Sequence, residues 1–409
     1  MTDASSSAQR NWVAYVGPFL FPHGEAASSR VLGVAETIAL TGRDVRIASG
    51  NFSPPAEISL DQQANSGRIY YQGLGDRPKS MRTSPIKGVK TLTHWGKAAT
   101  KWLEQQDSKP SHVIVYGGQS PYAARLQSWG KRHSIPVLHD VVEWHEPEQF
   151  WGKRLNPAWI SSEIALRILY KRADGIIAIS SWLEEYYQHF VPNVTRIPPS
   201  ARPLLSAADH RPTNSPPLRL AYCGNPGNKE VLEPTILAVK RINTPERRIV
   251  FEIGGMSPSQ VAELSGVAEE DQESFGILAR GRVPLEESQR IVANAHFSLL
   301  VRRFSRCTNA GFPTKFVESL SLGTPVIATP TSDLAQYLIN GVNGWVVETE
   351  SGEEIEQTLR KSLELTSNQL LEFRERSLAT AQTDFTPQAM VTRLDELLNA
   401  TESKNTGVR

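Results

Sequence analysis

The sequence predicts an α/β protein built from two doubly wound, Rossmann-like domains that face each other across a cleft. Short apolar runs alternate with amphipathic helical runs in two series, a pattern typical of parallel sheets covered by helices. Between Ile197 and Leu218 the chain has six prolines and little periodicity, which separates the two series. A chain of 409 residues that is 39% apolar is long enough to bury two cores.

The first series predicts an N-terminal, acceptor-side domain over residues 1–200. Its strands are expected at WVAYVG, DVRIAS, HVIVYG, PVLHDVV and GIIAIS, with helices between them. Residues 201–217 follow as a Pro-rich, extended linker.

The second series predicts a C-terminal, nucleotide-sugar-binding domain over residues 218–386. Its strands are expected at RLAYCG, RIVFEIGG, FGILARG, FSLLVR, PVIATP and GWVVE. Residues 387–409 are expected to form a last helix, which can return to the first domain, and a disordered polar tail, TESKNTGVR.

Composition excludes several classes of function. With 44 basic and 43 acidic residues the net charge is +1, so no overall field attracts nucleic acid. Cys223 and Cys307 are too few for a disulfide framework or a zinc site. No leader-like start or apolar run of about 18 residues is present, which favours a cytoplasmic protein, soluble or peripheral to the inner face of the membrane.

The stretch 297–330 carries the strongest functional signal. An apolar strand ends in Arg302, a Gly-Phe-Pro-Thr entry opens a helix that contains Glu318, and a second apolar strand follows. Ligands of open α/β sheets bind at the carboxyl ends of strands, where a helix N-terminus favours an anion. Glu318 would accept hydrogen bonds from two sugar hydroxyls; the alternative is a surface glutamate paired with Lys315 at the i, i+3 spacing.

The second domain opens with a similar loop, RLAYCGNPGNKE. Two glycines let the backbone approach a phosphate, and Lys229 can supply the opposite charge. Arg282 and Arg302 repeat this placement after two other strands. A solvated lysine beside a turn is the open alternative.

Two candidate sites follow strands of the first domain. Gly24 lies in the loop after WVAYVG, where it could approach a ligand or merely make the connection flexible. After PVLHDVV, Glu143 and His145 are the candidates for acid–base or substrate-binding roles. His139 and Asp140 fit such a role or a structural one equally.

A basic segment lies between Arg77 and Lys101. It has no acidic residue and interleaves apolar side chains, so it could bind an anionic membrane surface or be a solvated loop. Its seven basic residues are Arg77, Lys79, Arg82, Lys87, Lys90, Lys97 and Lys101.

Four motifs, GPFLFPHGEAASSR, GIIAISSWLEEYY, YCGNPGNKE and AGFPTKFVESLSLGTPVIAT, resemble those of GT-B fold glycosyltransferases of the family 4, or group 1, type. The resemblance covers nearly the whole chain. It implies retaining transfer of a sugar from a nucleotide-diphosphate donor to a hydroxyl of a glycan or lipid-linked acceptor, as in surface polysaccharide synthesis. It also implies no metal and no cofactor.

The resemblance assigns roles by position. Lys229 and the loop of residues 311–314 would face the diphosphate, Glu318 the ribose, and Gly24 the donor phosphate. The predicted donor-binding residues are Gly24, Gly224, Asn225, Lys229, Arg282, Arg302, Asn309, Gly311, Phe312, Pro313, Thr314, Lys315 and Glu318. The predicted catalytic residues are Glu143, His145, Lys229 and Glu318.

The chain departs from the family pattern at one position. The family has a second glutamate eight residues before the one that Glu318 matches, and this chain has Ala310 there, beside Asn309, which could substitute in part. Three alternatives therefore stay open: a sugar-nucleotide epimerase or hydrolase, a nucleotide-sugar-binding protein with impaired catalysis, and a nucleic-acid-binding module that uses the basic segment.

Overall fold

The computed structural model describes residues 11–23, 26–59, 65–77, 94–117, 119–207 and 217–406. The chain forms two compact units. The first comprises Met1–Ser200 and Pro387–Arg409, and the second comprises Ala201–Thr386. The last helix thus belongs with the first unit, although the second unit precedes it in the chain.

The first unit contains an eight-stranded sheet in the order β3-β4-β2-β1-β5-β6-β7-β8. Its strands are β1 (Trp12–Val16), β2 (Asp44–Ser49), β3 (Phe52–Ile58), β4 (Ile69–Leu74), β5 (His112–Tyr116), β6 (Val137–Val141), β7 (Gly175–Ala178) and β8 (Val194–Arg196). Neighbouring strands run parallel except for β3 and β4, which are antiparallel. Central strands such as β1 are buried along their whole length, because helices cover both faces of a parallel sheet.

The two faces of this sheet carry separate cores. Its helices are α1 (Ala26–Leu40), α2 (Lys97–Glu104), α3 (Ser120–His133), α4 (Pro157–Ile164), α5 (Ser181–Gln188) and α15 (Pro387–Thr406). Val13 and Tyr15 of β1 face one core with α1 and α15, whereas Trp12 and Ala14 face the other core with α2 and α3. The alternation follows from the two-residue period of a strand, and it makes the unit doubly wound.

The second unit contains a six-stranded parallel sheet in the order β11-β10-β9-β12-β13-β14. Its strands are β9 (Leu218–Cys223), β10 (Ile249–Gly254), β11 (Ile277–Ala279), β12 (Phe297–Leu300), β13 (Val326–Ala328) and β14 (Gly344–Val346). The carboxyl ends of β9 and β12 are therefore neighbours, and this edge carries the motifs of the strongest sequence signal.

Helices cover both faces of this second sheet as well. They are α6 (Glu233–Ile242), α7 (Pro258–Ser265), α8 (Glu269–Gln272), α9 (Leu285–Ala293), α10 (Arg306–Ala310), α11 (Thr314–Ser321), α12 (Leu334–Tyr337), α13 (Gly352–Leu363) and α14 (Ser367–Asp384). The larger core joins Phe251 and Phe297 of the sheet to Ile236 of α6 and Ile355 of α13. A smaller core lies on the opposite face, around Ala221 and Ile291.

The predicted fold class is confirmed, since both units are α/β with mostly parallel sheets, and two details differ. The β3–β4 pair was not predicted, because the sequence of β3, FSPPAEI, holds two prolines, which suit only an edge strand. The predicted disordered tail is wrong through Thr406, because α15 extends to that residue. Thr401 is buried there, with its Oγ1 3.1 Å from His112 Nε2.

Candidate active site

Helix α11 brings the main site residue to the edge of the second sheet. Phe316, Val317 and Leu320 are buried, as their helical spacing predicts. Glu318 lies beside this apolar stripe and lines a small pocket, together with Tyr222 and other residues from β9, α9, β12 and α11. The helix is thus anchored by its apolar face while Glu318 faces the pocket.

Glu318 is held in an environment that disfavours its charge. Burial raises the pKa of Glu318, and the nearby Lys315 ammonium opposes that shift. The pocket wall next to Glu318 includes Ser288 and Leu322. A carboxylate in such a place gains strongly from a ligand that donates hydrogen bonds to it.

Lys315 belongs to a network that the sequence did not predict. Its Nζ forms an ion pair with Glu230 and lies 3.0 Å from Tyr222 Oη, and the Tyr222 hydroxyl donates to the same carboxylate. The alternative that paired Lys315 with Glu318 is therefore wrong, because the Lys315 ammonium reaches across to Glu230. Glu230 directly follows Lys229, but 85 residues separate it from Lys315, so no local pattern shows the pair.

The glycine of the first loop has a packing reason. Gly224 has a φ of 138°, and a Cβ at this position would lie 2.4 Å from Lys315 Cε. Only glycine tolerates both this backbone conformation and the close passage of the lysine. Asn225 is exposed, and its Oδ1 accepts the Gly227 N–H at 3.0 Å, which closes a turn before Lys229.

Three predicted basic residues follow three strands, and two of them lie close together. The Arg303 N–H donates to the Lys229 carbonyl at 3.3 Å, and Glu230 forms a β-bridge with Arg302. Arg302 is only 4% exposed, and Thr329 Oγ1 accepts its N–H at 2.8 Å. Arg282 is exposed and follows β11, the edge strand, which β10 separates from β9.

Packing accounts for part of the predicted 311–314 loop. The Gly311 N–H already donates to the Cys307 carbonyl at 3.1 Å. The Phe312 ring packs against Phe316 and other rings, at 6% exposure, so its side chain is a core group. Pro313 precedes α11, and Thr314 is its first residue.

The position that departs from the family pattern is closed. Ala310 ends α10 and is fully buried. The Oδ1 of Asn309 accepts the Ser332 N–H at 3.2 Å, at a residue whose φ is 57°. That oxygen of Asn309 therefore stabilises a left-handed loop residue rather than replacing the family glutamate in the described contacts.

In the first unit, Asp140 is a structural residue. It is fully buried, and Arg30 donates to both of its oxygens, with Nη2 2.8 Å from Oδ1 and Nε 3.1 Å from Oδ2. The Tyr15 hydroxyl donates to Oδ2 as well. The remaining Arg30 nitrogen donates to the carbonyls of Ile197 and Pro198. This network satisfies the groups of Asp140 within the core.

His139 is buried beside Asp140 on β6. Burial lowers the pKa of His139 to about 3, so the ring is neutral. Its Nε2 lies 3.0 Å from Gln127 Nε2, and its ring stacks on Tyr170 with centroids 4.1 Å apart. A neutral, enclosed imidazole of this kind favours the structural interpretation.

Glu143 and His145 lie in the loop after β6 and are close to each other. His145 Nε2 is 2.9 Å from Glu143 Oε2, and both side chains are more than one-third exposed. His145 Nδ1 lies 3.1 Å from Gln149 Oε1. An exposed carboxylate–imidazole pair of this kind can accept or donate a proton at a strand end.

Some predicted residues lie outside the described part of the chain. They are Gly24 and four basic residues of the Arg77 to Lys101 segment, Lys79, Arg82, Lys87 and Lys90. Within the described residues, no group of three or more His, Cys, Asp and Glu side chains could hold a metal ion. No helix in that part of the chain has the length and apolarity to cross a membrane.

Family models match the two halves of the chain separately. Residues 26–200 match the "Glycosyl transferase 4-like domain", and residues 217–364 match the "Glycosyl transferases group 1" family. No curated protein matches the sequence.

Solved structures similar to this chain include three that support the same assignment. Sucrose-phosphate synthase (tll1590) from Thermosynechococcus elongatus is 14% identical with a TM-score of 0.68, over 97% of this chain and 100% of that one. Anabaena Alr3699/HepE, solved with UDP, is 13% identical with a TM-score of 0.61, over 95% and 100%. WaaG, a glycosyltransferase involved in lipopolysaccharide biosynthesis, is 14% identical with a TM-score of 0.60, over 97% and 100%. The fold, the site residues of α11 and the two family matches agree: the chain belongs to the GT-B glycosyltransferases of the family 4 type.

Proposed function

We propose that this glycosyltransferase moves a sugar from a nucleoside-diphosphate donor to a hydroxyl acceptor with retention at the anomeric carbon. The observation that carries the donor assignment is Glu318, a carboxylate that lines a pocket beside the β9 loop and whose pKa is raised by burial. HepE, which has the same fold, was solved with UDP, which supports a uridine nucleotide as the first donor to test.

The donor would lie along the carboxyl edge of the second sheet. Glu318 would accept hydrogen bonds from two ribose hydroxyls, because a pair of hydroxyls matches the two oxygens of a carboxylate. Lys229 and the N–H groups at the start of α11 would face the diphosphate, where a positive side chain and a helix N-terminus both favour an anion. Lys315 is held by Glu230, so in this proposal it shapes the site rather than binding phosphate directly.

The transfer step needs stabilisation of the leaving diphosphate. The bond between the sugar C1 and the phosphate oxygen breaks, and the acceptor oxygen bonds C1 on the same face. The acceptor proton passes to an oxygen of the departing diphosphate, so no external reagent is required. Fixed dipoles and Lys229 would stabilise the developing negative charge, which is usually the largest contribution in such sites.

The acceptor side is assigned to the first unit. The Glu143–His145 pair is exposed after β6, and it could orient or polarise an acceptor hydroxyl. We propose a glycan or lipid-linked acceptor in polysaccharide synthesis, which the printed role of WaaG in lipopolysaccharide biosynthesis supports.

The donor assignment is tested by nucleotide binding. We expect UDP, and not an equal concentration of GDP or ADP, to raise the thermal unfolding midpoint, because a ligand of the native state stabilises it. Glu318→Ala should abolish this shift, whereas Glu263→Ala, at an exposed position of α7, should keep it. A Glu318→Ala protein that still binds UDP with wild-type affinity would contradict the ribose role.

Two further measurements test the chemistry. Proton NMR of the first product should show the same anomeric configuration as the donor, and an inverted product would exclude the retaining step. Turnover should persist in excess EDTA, since we propose that no metal takes part. A product formed without any acceptor would instead support the epimerase or hydrolase alternative.

A further inference from the structure

The first unit exposes a row of large apolar side chains along one helical segment. Ile160, Ile164 and Ile168 recur every four residues and are 41%, 40% and 46% exposed. Trp151 and Leu155 precede them at 92% and 85% exposure. Five of the fourteen exposed large apolar residues of the described chain thus lie within eighteen positions, whereas such residues are normally scattered singly.

The segment is well anchored, so its exposure is a property of the fold. Asn156 caps α4 by accepting the N–H groups of Ala158 and Trp159, and its Nδ2 donates to the Trp151 carbonyl at 2.6 Å. The helical path continues through a π-helical stretch, Ala165–Leu169, and a 3-10 turn, Tyr170–Arg172. Sixteen helical residues of this kind extend about 24 Å.

The orientation of this helix reverses the usual amphipathic arrangement. Its buried face is made largely of small residues, Ala158, Ser161 and Ala165, while the three isoleucines face outward. A helix folded only for the stability of this unit would bury its largest apolar groups. The outward face therefore fits an apolar surface supplied by another body.

Basic residues surround the row. Between positions 151 and 172 there are five basic residues, Lys153, Arg154, Arg167, Lys171 and Arg172, and one acidic residue, Glu163. Glu163 is only 13% exposed, because it pairs with Arg167 and accepts the Trp144 indole N–H. At the far end of the row, Lys171 Nζ lies 3.5 Å from the ring centroid of Phe190, which is itself 48% exposed.

We propose that this isoleucine face, made of Trp151, Leu155, Ile160, Ile164, Ile168 and Phe190, docks on an anionic lipid bilayer. The apolar row would enter the boundary between headgroups and acyl chains, and the basic residues would contact lipid phosphates. A symmetric contact with a second copy is disfavoured, since it would bring two cationic clusters into one interface. This inference adds a surface that the donor chemistry does not use.

Vesicle co-sedimentation of the full chain tests the proposal. The wild type should sediment with vesicles of phosphatidylcholine and phosphatidylglycerol and much less with phosphatidylcholine alone. The variant Ile160→Ser/Ile164→Ser/Ile168→Ser should lose at least about tenfold in partition coefficient, which corresponds to about 1.4 kcal/mol. Lys153→Glu/Arg154→Glu should lose binding to the anionic vesicles, and added salt should weaken the wild type.

Matched controls separate docking from folding and from nucleotide binding. Leu264→Ser and Leu371→Ser, at positions 38% and 41% exposed in the second unit, should bind vesicles like the wild type. All variants should keep the wild-type thermal midpoint and response to UDP, so a failed donor assignment is recognised separately. Absent vesicle binding by the wild type, or full binding by the triple variant, would overturn the proposal. A wild-type dimer that the triple variant converts to a monomer, with no lipid dependence, would assign the face to a second copy and also overturn it.

Discussion

Two clusters made of the same kinds of side chain lie at strands of the two units. In the first unit, Asp140 joins an arginine and the Tyr15 hydroxyl, and in the second unit Glu230 joins Lys315 and the Tyr222 hydroxyl. The Asp140 cluster is completely enclosed. The Glu230 cluster instead borders the pocket that Glu318 lines.

The difference shows how similar charge sets serve stability or binding. Around Asp140, the groups of the cluster bond to one another and to backbone carbonyls inside the core. Beside Glu230, a second carboxylate, Glu318, lies in the same pocket wall, and its pKa is raised because burial disfavours its charge. A charge that the fold leaves under-stabilised is available to a ligand, whereas a fully bonded one is not. The following predictions test this contrast, from the largest expected effect to the smallest.

Asp140→Ala should strongly destabilise the protein. Removing one partner leaves the Arg30 charge buried and uncompensated, which typically costs about 3–5 kcal/mol. Chemical denaturation measures the change in the free energy of unfolding. Glu286→Gln, at an exposed pair with Arg290, is the control and should leave that free energy unchanged. A stable Asp140→Ala protein would show that the two clusters do not differ in this way.

Glu318→Gln should weaken nucleotide binding without destabilising the fold. Hydrogen bonds to a charged group contribute about 1.5–3 kcal/mol, so affinity should fall roughly 10- to 150-fold by calorimetric titration with UDP. The free energy of unfolding of the unliganded protein should be equal to that of the wild type or higher, because a buried charge is removed. Loss of stability in parallel with loss of binding would contradict a ligand role for Glu318.

Lys315→Met should destabilise the second unit moderately. The change leaves the Glu230 carboxylate without its ion-pair partner in a largely buried place, at a cost of about 1–3 kcal/mol. Adding Glu230→Gln should restore part of the loss, which a double-mutant cycle of unfolding free energies would measure. Purely additive effects would show that the pair is not coupled.

Glu318 should also make stability depend on pH. Its pKa is raised above 4.5 in the folded protein, so its contribution is fully present below about pH 4.5 and is lost as the pH rises through the folded value. The free energy of unfolding of the wild type should therefore fall relative to Glu318→Gln over that window. The slope of the difference should not exceed about 1.4 kcal/mol per pH unit. A difference that is constant from pH 4 to 7 would contradict the pKa shift.

The sequence was most informative where the local pattern depends on period and position. Fully apolar strands such as β1 predict buried parallel strands, and the 3.6-residue spacing of Phe316 and Leu320 predicts the buried face of α11. The β3 edge strand was missed because its prolines and exposed side chains lack a strand pattern. The extension of α15 to Thr406 was missed because the polar sequence resembles a tail, although Thr401 is buried against His112.

The sequence by itself determined the fold class, the family and the loop around Glu318, because these depend on residue order within one strand–loop–helix unit. Tertiary structure decided which charges meet: Lys315 with Glu230, 85 residues away, and Arg30 with Asp140, 110 residues away. It also decided that three isoleucines face outward from a well-capped helix. Ion pairing and burial depend on distances that only the folded chain sets, so no local pattern could have specified them.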